Sequence, residues 1–346
     1  MNSASVIITG AAGCLLAAGT TPLLGRLALR WGFTDQPGGH KVHERPIPYL
    51  GGMAVMLGTI VPPAVLTGLA DERTTAIMIA AMAVALLGLI DDISSLSPLT
   101  RLAVEAVAAV GVVVSGVQAT VTGSWLDGPI TVLWIVVITN SFNLLDNMDG
   151  ALGTVAAVSA AFLAGMAFVH LQLAIGLLLV ALAHASLGFL LHNWAPAKVF
   201  MGDAGSLFIG FVIACSAALL VTGHSTGTVI AGLLLPTFVA TVDTGVVILS
   251  RKRAGRPLLQ GGTDHVSHRL LRLGLSTRLT AAILAAVAAV TGTLGLAMAL
   301  GWISPLIATV AAIGAALILI NLPQRVRVYS PVGAPNRPAI IRERRR

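Results

Sequence analysis

Carboxylates recur at the ends of long apolar runs in this chain: Asp91-Asp92, Asp146 with Asp149, Asp203, Asp243 and Asp264. A carboxylate at bilayer depth is costly, so each one is a functional-site hypothesis before anything else is known. Five such clusters on one face would suit a cation and a phosphorylated substrate. Magnesium is a hard ion that takes one or two carboxylates and completes its shell with phosphates and water. Asp203 stands in Gly202-Asp203-Ala204-Gly205-Ser206, at the predicted start of a helix. Small residues there let backbone N–H groups approach an anion, and a helix N-terminus favours one. A plain N-cap aspartate is the bland alternative. Asp91 and Asp92 repel one another unless a cation sits nearby, although a polar helix terminus would also contain such a pair. Asn143, Asp146 and Asp149 are spaced i, i+3, i+6, which one helix face would align. Simple solvation of a helix end is the competing reading of that stripe.

Histidine supplies the second signal. His265 lies beside Asp264 and near His268 in an Arg-rich loop, 251–278. Zinc is a poor reading without a cysteine partner, and a partly protonated imidazole among phosphates fits better. Asp243 lies about seven residues, or ~10 Å of helix, inside its apolar run, and both structural hydrogen bonding and catalysis stay open for it. Pro236 predicts a kink in the same run. Cys14 and Cys215 both lie within apolar stretches and read as small buried hydrophobes.

The elements that must position these groups are membrane helices. Hydrophobic residues make up 56% of the 346 and charged residues only 10%, against roughly a quarter charged in soluble domains. Runs of about 20 apolar residues predict spans near 5–24, 49–69, 73–90, 100–117, 129–146, 151–169, 171–191, 205–222, 228–250, 279–300 and 303–321. The expected fold is an all-α polytopic membrane protein with about 11 transmembrane helices in one domain, 1–321. A basic, flexible tail, 322–346, follows it with seven Arg. No soluble domain fits the loops, and no internal repeat is visible. An N-out, C-in orientation leaves Arg73 alone among 21 Lys and Arg in an outer loop, as the positive-inside rule requires. The net charge of +7 follows from that bias, which makes nucleic-acid binding a poor explanation. The first run lacks a basic n-region and reads as a retained helix. In this orientation the reactive segments, 35–52, 88–97, 140–150, 193–206 and 251–270, all face the cytosol. A cation-coupled transporter, the alternative of another class, would place its ion site near the midplane at broken helices. Carboxylates at the membrane boundary favour an enzyme with a cytosolic donor and a lipid acceptor.

Five segments, in order, carry a resemblance to a family. They are Lys41, His43, Pro46, Pro48 and Gly51-Gly52; Asp91-Asp92 in GLIDD; Asn143 to Gly150 (NLLDNMDG); Asn193 to Ser206 (NWAPAKVFMGDAGS); and Asp264 to Leu270 (DHVSHRL). From about residue 20 to about residue 300 the chain resembles the polyprenyl-phosphate N-acetylhexosamine-1-phosphate transferases. The resemblance implies transfer of a sugar 1-phosphate, N-acetylglucosamine first, from a UDP-sugar to a polyprenyl phosphate, with release of UMP. Mg²⁺, replaceable by Mn²⁺, is the implied cofactor, at a plasma-membrane site facing the cytoplasm. Members that begin lipopolysaccharide, teichoic acid or arabinogalactan-linker synthesis look most similar. The muramoyl-pentapeptide transferase of peptidoglycan synthesis is the runner-up. The resemblance implies Asp203 and Asp91 as metal ligands, and Asp91, Asp92 and His265 as catalytic residues. Asp91 and Asp92 are not separated in role. It further implies that Asn143, Asp146, Asp149, Asn193 and Phe200 bind the nucleotide, the last two as a uracil pocket. Lys41, Arg256 and His268 would contact phosphate or substrate. Ser267 departs from the commoner His-x-His-His pattern, in the loop implied to contact the donor sugar. Oligomeric state is not legible, and a homodimer is carried as one option.

Overall fold

A computed structural model describes residues 3–35, 46–258, 261–326 and 328–329. Every long apolar run folds as helix, because a helix satisfies its backbone polar groups internally, as a bilayer demands. The order is α1 (Ser3–Trp31), β1 (Thr34–Asp35), β2 (Ile47–Pro48), α2 (Gly51–Thr67), α3 (Glu72–Ser94), α4 (Pro98–Val114), α5 (Asp127–Leu145), α6 (Ala151–Val169) and α7 (Leu173–Asn193). There follow α8 (Gly202–Leu220), α9 (Thr226–Leu234), α10 (Phe238–Arg253), α11 (Val266–Arg272), α12 (Thr277–Ala299), α13 (Pro305–Asn321) and a 3₁₀ turn, Leu322–Arg325. Helix starts are written locally. Ser97 and Ser304 each cap a helix that opens on proline, Ser276 caps α12, and Asp71 accepts from Thr74 N at 2.7 Å.

The protein is a polytopic, all-helical membrane protein. Among the described residues, eight helices are long and apolar enough to cross a bilayer, and nine if one bent pair counts as a single span. That pair is α9 and α10, which meet at 77° across Leu235 to Thr237. Pro236 lies in this break, so the predicted kink is a full interruption. The two-residue antiparallel pairing of β1 with β2 had no sequence signal.

Helix α8 is the hub, buried at every residue from Ala204 to Leu220. It packs against α2, α3 and α5, and its entry point allows no bulk. A Cβ on Gly88 of α3 would sit 2.4 Å from the Asp203 carbonyl oxygen, and one on Gly52 of α2 would sit 2.3 Å from Gly205 Cα. Small residues at these crossings let the backbones of α2, α3 and α8 meet, which brings the acidic helix ends together. The opposite ends of the helices are tied by Gln118 N to Thr222 Oγ1 (3.2 Å) and Thr120 Oγ1 to His224 O (3.0 Å). There Asp127 accepts from Val121 N, Thr122 N and Gly123 N at 2.7–3.0 Å, a structural role for a buried carboxylate.

Candidate active site

Adjacent aspartates at the end of α3 point to different partners. Asp92 receives the Asp203 N–H (2.9 Å) and the Ala204 N–H (3.2 Å), so its carboxylate is the anion held at the α8 N-terminus. Gly202 makes the entry possible: its φ is +73°, and a Cβ there would stand 2.7 Å from Asp92 Oδ2. Asp91 turns the other way. Its Oδ1 accepts from Leu96 N at 2.5 Å, closing the turn between α3 and α4. Its Oδ2 accepts from Arg101 Nη1 at 2.7 Å.

Arg101 is a residue that sequence reasoning missed. Its Nη1 also lies 3.1 Å from Asp203 Oδ2, and its Nη2 donates to Asn143 Oδ1 at 3.3 Å. Asn143 in turn donates to Asp203 Oδ1 (2.9 Å) and Ser206 Oγ (2.8 Å). One guanidinium nitrogen therefore reaches both Asp91 and Asp203, the two carboxylates implied as metal ligands. The signal in the sequence was a lone cation in an otherwise apolar helix that also holds Glu105, whose carboxylate is fully buried against the Asn140 amide.

A cleft of about 430 Å³ opens beside this cluster, lined by Asp35, Tyr49, Asp92, Asp146, Asn147, Met148, Asp149, Asn193, Phe200 and Gly202. Five of the nucleotide and catalytic assignments meet here: Asp92, Asp146, Asp149, Asn193 and Phe200. The expected single helical stripe of Asn143, Asp146 and Asp149 does not form. Helix α5 ends at Leu145, Asp146 is its C-cap, and the chain turns through Gly150 at φ +73°. Asp149 instead accepts from Ala197 N (2.9 Å), and Asn193 bridges Gly150 N (2.9 Å) and Val199 O (3.0 Å). Two loops are thus clamped against each other at the cleft, with both ends of the Asn193 amide engaged by backbone. Burial, reinforced by Asp203, Asp92 and Asp149, pushes the Asp146 carboxyl up to about 8. The Tyr49 phenol is likewise raised, by burial and then by Asp92 and Asp35.

Asp243 and Asp264 do not join the acidic cluster as expected. Asp243 accepts from His265 Nδ1 and from Val266 N, both at 2.7 Å, capping α11 and orienting the imidazole through its Nδ1–H. Both partners are buried. Asp264 is gripped by Arg251 Nε (3.0 Å) and Nη2 (3.2 Å). Burial alone would raise its pKa, but the Arg251 and Tyr329 hydrogen bonds hold it below the usual carboxylate range. Ser267 Oγ donates to Asn147 Oδ1 at 2.5 Å, which joins α11 to the rim of the acidic cleft.

A second cleft, about 830 Å³, is lined by Arg256, Gly261, Gly262, Thr263, His268, Leu271, Arg272, Val328 and Tyr329. Arg256 and His268 therefore face a basic cleft and do not line the acidic one. His268 is held neutral more readily than usual by burial and by His265. The chain after α13 forms part of this wall. Buried Arg269 donates to Pro323 O and Val326 O, both at 2.7 Å, and Arg256 stacks 4.5 Å over the Tyr329 ring. The start of the basic tail is thus anchored to the histidine loop. Lys41 and His43 lie outside the described residues.

Among the described residues, no three His, Cys, Asp or Glu side chains form a ready-made metal cluster. The donor chemistry still fits Mg²⁺, which needs only one or two carboxylates. Asp91 and Asp203 lie within reach of a single cationic atom, as Arg101 Nη1 demonstrates.

Comparison with known proteins adds the lineage. Residues 74–221, which run from α3 through α8, match the model of glycosyl transferase family 4. A Streptomyces coelicolor protein assigned as a glycosyltransferase is 38% identical over 335 residues, covering 95% of this chain and 78% of that protein. An undecaprenyl-phosphate N-acetylglucosaminyl 1-phosphate transferase assigned in Bacillus subtilis is 32% identical over 278 residues, 76% of each chain. The decaprenyl-phosphate N-acetylglucosaminephosphotransferase of Mycobacterium leprae is 31% identical over 310 residues, 78% of each chain. By these matches the chain belongs to glycosyl transferase family 4.

Proposed function

We propose that this protein transfers N-acetylglucosamine 1-phosphate from UDP-N-acetylglucosamine to a polyprenyl phosphate, releasing UMP and beginning a cell-envelope glycan. The observation that carries this reading is the acidic cleft beside the paired Asp91 and Asp203, with Arg101 between them and the helix that follows His265, α11, joined to its rim through Ser267 and Asn147. The names of the relatives support the substrate pair. In the reaction an oxygen of the acceptor phosphate attacks the β-phosphorus of the donor. The bond from that phosphorus to the bridging oxygen breaks, and UMP leaves with the bridging oxygen. Donor and acceptor bring several negative charges together, and Mg²⁺ held by Asp91 and Asp203 would neutralise part of that charge. Arg101 supplies fixed positive charge at the same place. Asn193, Phe200, Asp146 and Asp149 frame the space for the nucleotide. His265, ordered by Asp243, presents Nε2 for a phosphate oxygen or a proton.

Eleven spans, with α9 and α10 as one interrupted span, would put both termini where the basic residues demand: N-out and C-in, with the site on the cytoplasmic face of the plasma membrane. The span count is supported by the helix at each of the eleven sequence runs, and the orientation by the basic residues alone. The function is tested with purified protein, UDP-N-acetylglucosamine, polyprenyl phosphate and Mg²⁺. Labelled sugar should enter the lipid phase with UDP-N-acetylglucosamine, and far less with UDP-N-acetylgalactosamine or UDP-MurNAc-pentapeptide. Preferential use of the pentapeptide donor would overturn the assignment.

A further inference from the structure

At the end of the bundle opposite the carboxylates, two histidines that the reaction does not use face each other. His170 caps the C-terminus of α6, and His224 lies in the turn from α8 to α9. Their ring centroids are 5.3 Å apart, with the planes at 69°. They share a cavity of about 230 Å³ whose wall also includes Met166, Met298, Thr228 and Gly232. Two imidazoles on one tetrahedral ion, with metal–nitrogen bonds of about 2.0–2.1 Å, have centroids roughly 5 Å apart. The observed spacing meets that requirement.

The ring chemistry agrees. The Nδ1–H of His224 donates to Thr222 O at 3.3 Å, which leaves Nε2 with its lone pair. Metal-ligating histidines are oriented in this way, through a carbonyl on the second nitrogen. Among the described residues no hydrogen bond reaches the His170 ring. The C-terminal end of α6 adds a favourable field for a cation. Two thioethers in the same wall select a soft ion over a hard one.

We propose that this cavity is a binding site for a thiophilic transition-metal ion, Cu(I) in preference to Zn(II), held by His170 and His224 with Met166 and Met298 as soft donors. The site is independent of the transfer reaction. Helices α6 and α8 each run 19 residues from the acidic cluster to this end, about 28 Å. Binding would clip the end of α6 to the α8–α9 turn and to the end of α12.

The test uses untagged full-length protein carrying Cys14→Ala and Cys215→Ala, so that no thiol competes, in detergent with excess Mg²⁺. Ag(I), a redox-inert stand-in for Cu(I), and Zn(II) are titrated separately by calorimetry, with bound metal counted by mass spectrometry. One equivalent of Ag(I) is expected, bound more tightly than Zn(II). His170→Ala/His224→Ala should lose it or weaken it by at least about 100-fold, with sugar-phosphate transfer unchanged. Should that variant misfold, Met166→Leu/Met298→Leu, which conserves core volume, decides the matter by weakening Ag(I) more than Zn(II). No binding to the parent protein, equal binding by the parent and either pair of variants, or a preference for Zn(II) would overturn the proposal.

Discussion

Replacing Arg101 with glutamine separates the two cationic elements of the site. The guanidinium makes charge-assisted contacts with Asp91 at 2.7 Å and Asp203 at 3.1 Å, and a longer bond to Asn143 at 3.3 Å. Charge-assisted hydrogen bonds contribute about 1.5–3 kcal/mol each. Removing one partner of a buried charged network costs about 3–5 kcal/mol. The Arg101 side chain is 21% exposed, which puts the expected loss at the lower end, near 3 kcal/mol. That loss applies in EDTA, where Asp91 and Asp203 face one another without a cation. In saturating Mg²⁺ the proposed site would set the ion on the same two carboxylates, and at least half of the loss should return. The assay is thermal unfolding in detergent of wild type and Arg101→Gln, each with EDTA and with Mg²⁺. A deficit of equal size in both buffers would refute the claim that Arg101 and the metal serve the same carboxylates.

Asp243→Asn keeps the volume but leaves one acceptor oxygen for two donors, His265 Nδ1–H and Val266 N–H, so the imidazole loses its charged partner. Turnover should fall about 100-fold with donor KM little changed, and steady-state kinetics would show otherwise if the pair only stabilises the fold. Asp146 gives a pH test. With its pKa near 8 in the folded protein and near 4 unfolded, the folded state binds the proton more tightly. Wild-type stability therefore declines as pH rises through that window. The melting-temperature advantage of Asp146→Asn in EDTA should grow from about pH 5 to about pH 8, and a constant difference would contradict the cause given for the shift. Arg269→Met leaves the Pro323 and Val326 carbonyls without their donor, so limited proteolysis should cut more rapidly within 322–329; unchanged cutting would mean that this anchor is not what holds the segment.

The helices were legible because a bilayer leaves the backbone few choices, and every apolar run became helix. The interruption between α9 and α10 was legible through Pro236. The roles of individual carboxylates were less so, since each depends on a partner distant in sequence. Asp264 is followed directly by a histidine, but its partner is Arg251. Asp243 looked isolated, yet a loop 22 residues on supplies His265. The i, i+3, i+6 spacing of Asn143, Asp146 and Asp149 suggested one helix face, but α5 stops at Leu145 with Asp146 as its C-cap, before that face can form. Arg101 escaped notice because its two carboxylate partners lie on α3 and α8, and only the close crossing at Gly88 brings them together. Asp203 stood out as a candidate because small residues flank it at a helix start, and Asp91-Asp92 because two adjacent carboxylates close an apolar run.

The central claim, transfer of a sugar with its phosphate, is tested most directly by the identity of the nucleotide released. Purified protein is incubated with UDP-N-acetylglucosamine, polyprenyl phosphate and Mg²⁺, and the nucleotides are separated by ion-exchange chromatography. Cleavage between the two donor phosphates predicts UMP, in equal amount to lipid-linked sugar, with both reduced at least about 100-fold in Asp203→Asn. Release of UDP, or UMP production undiminished in Asp203→Asn, would contradict the account.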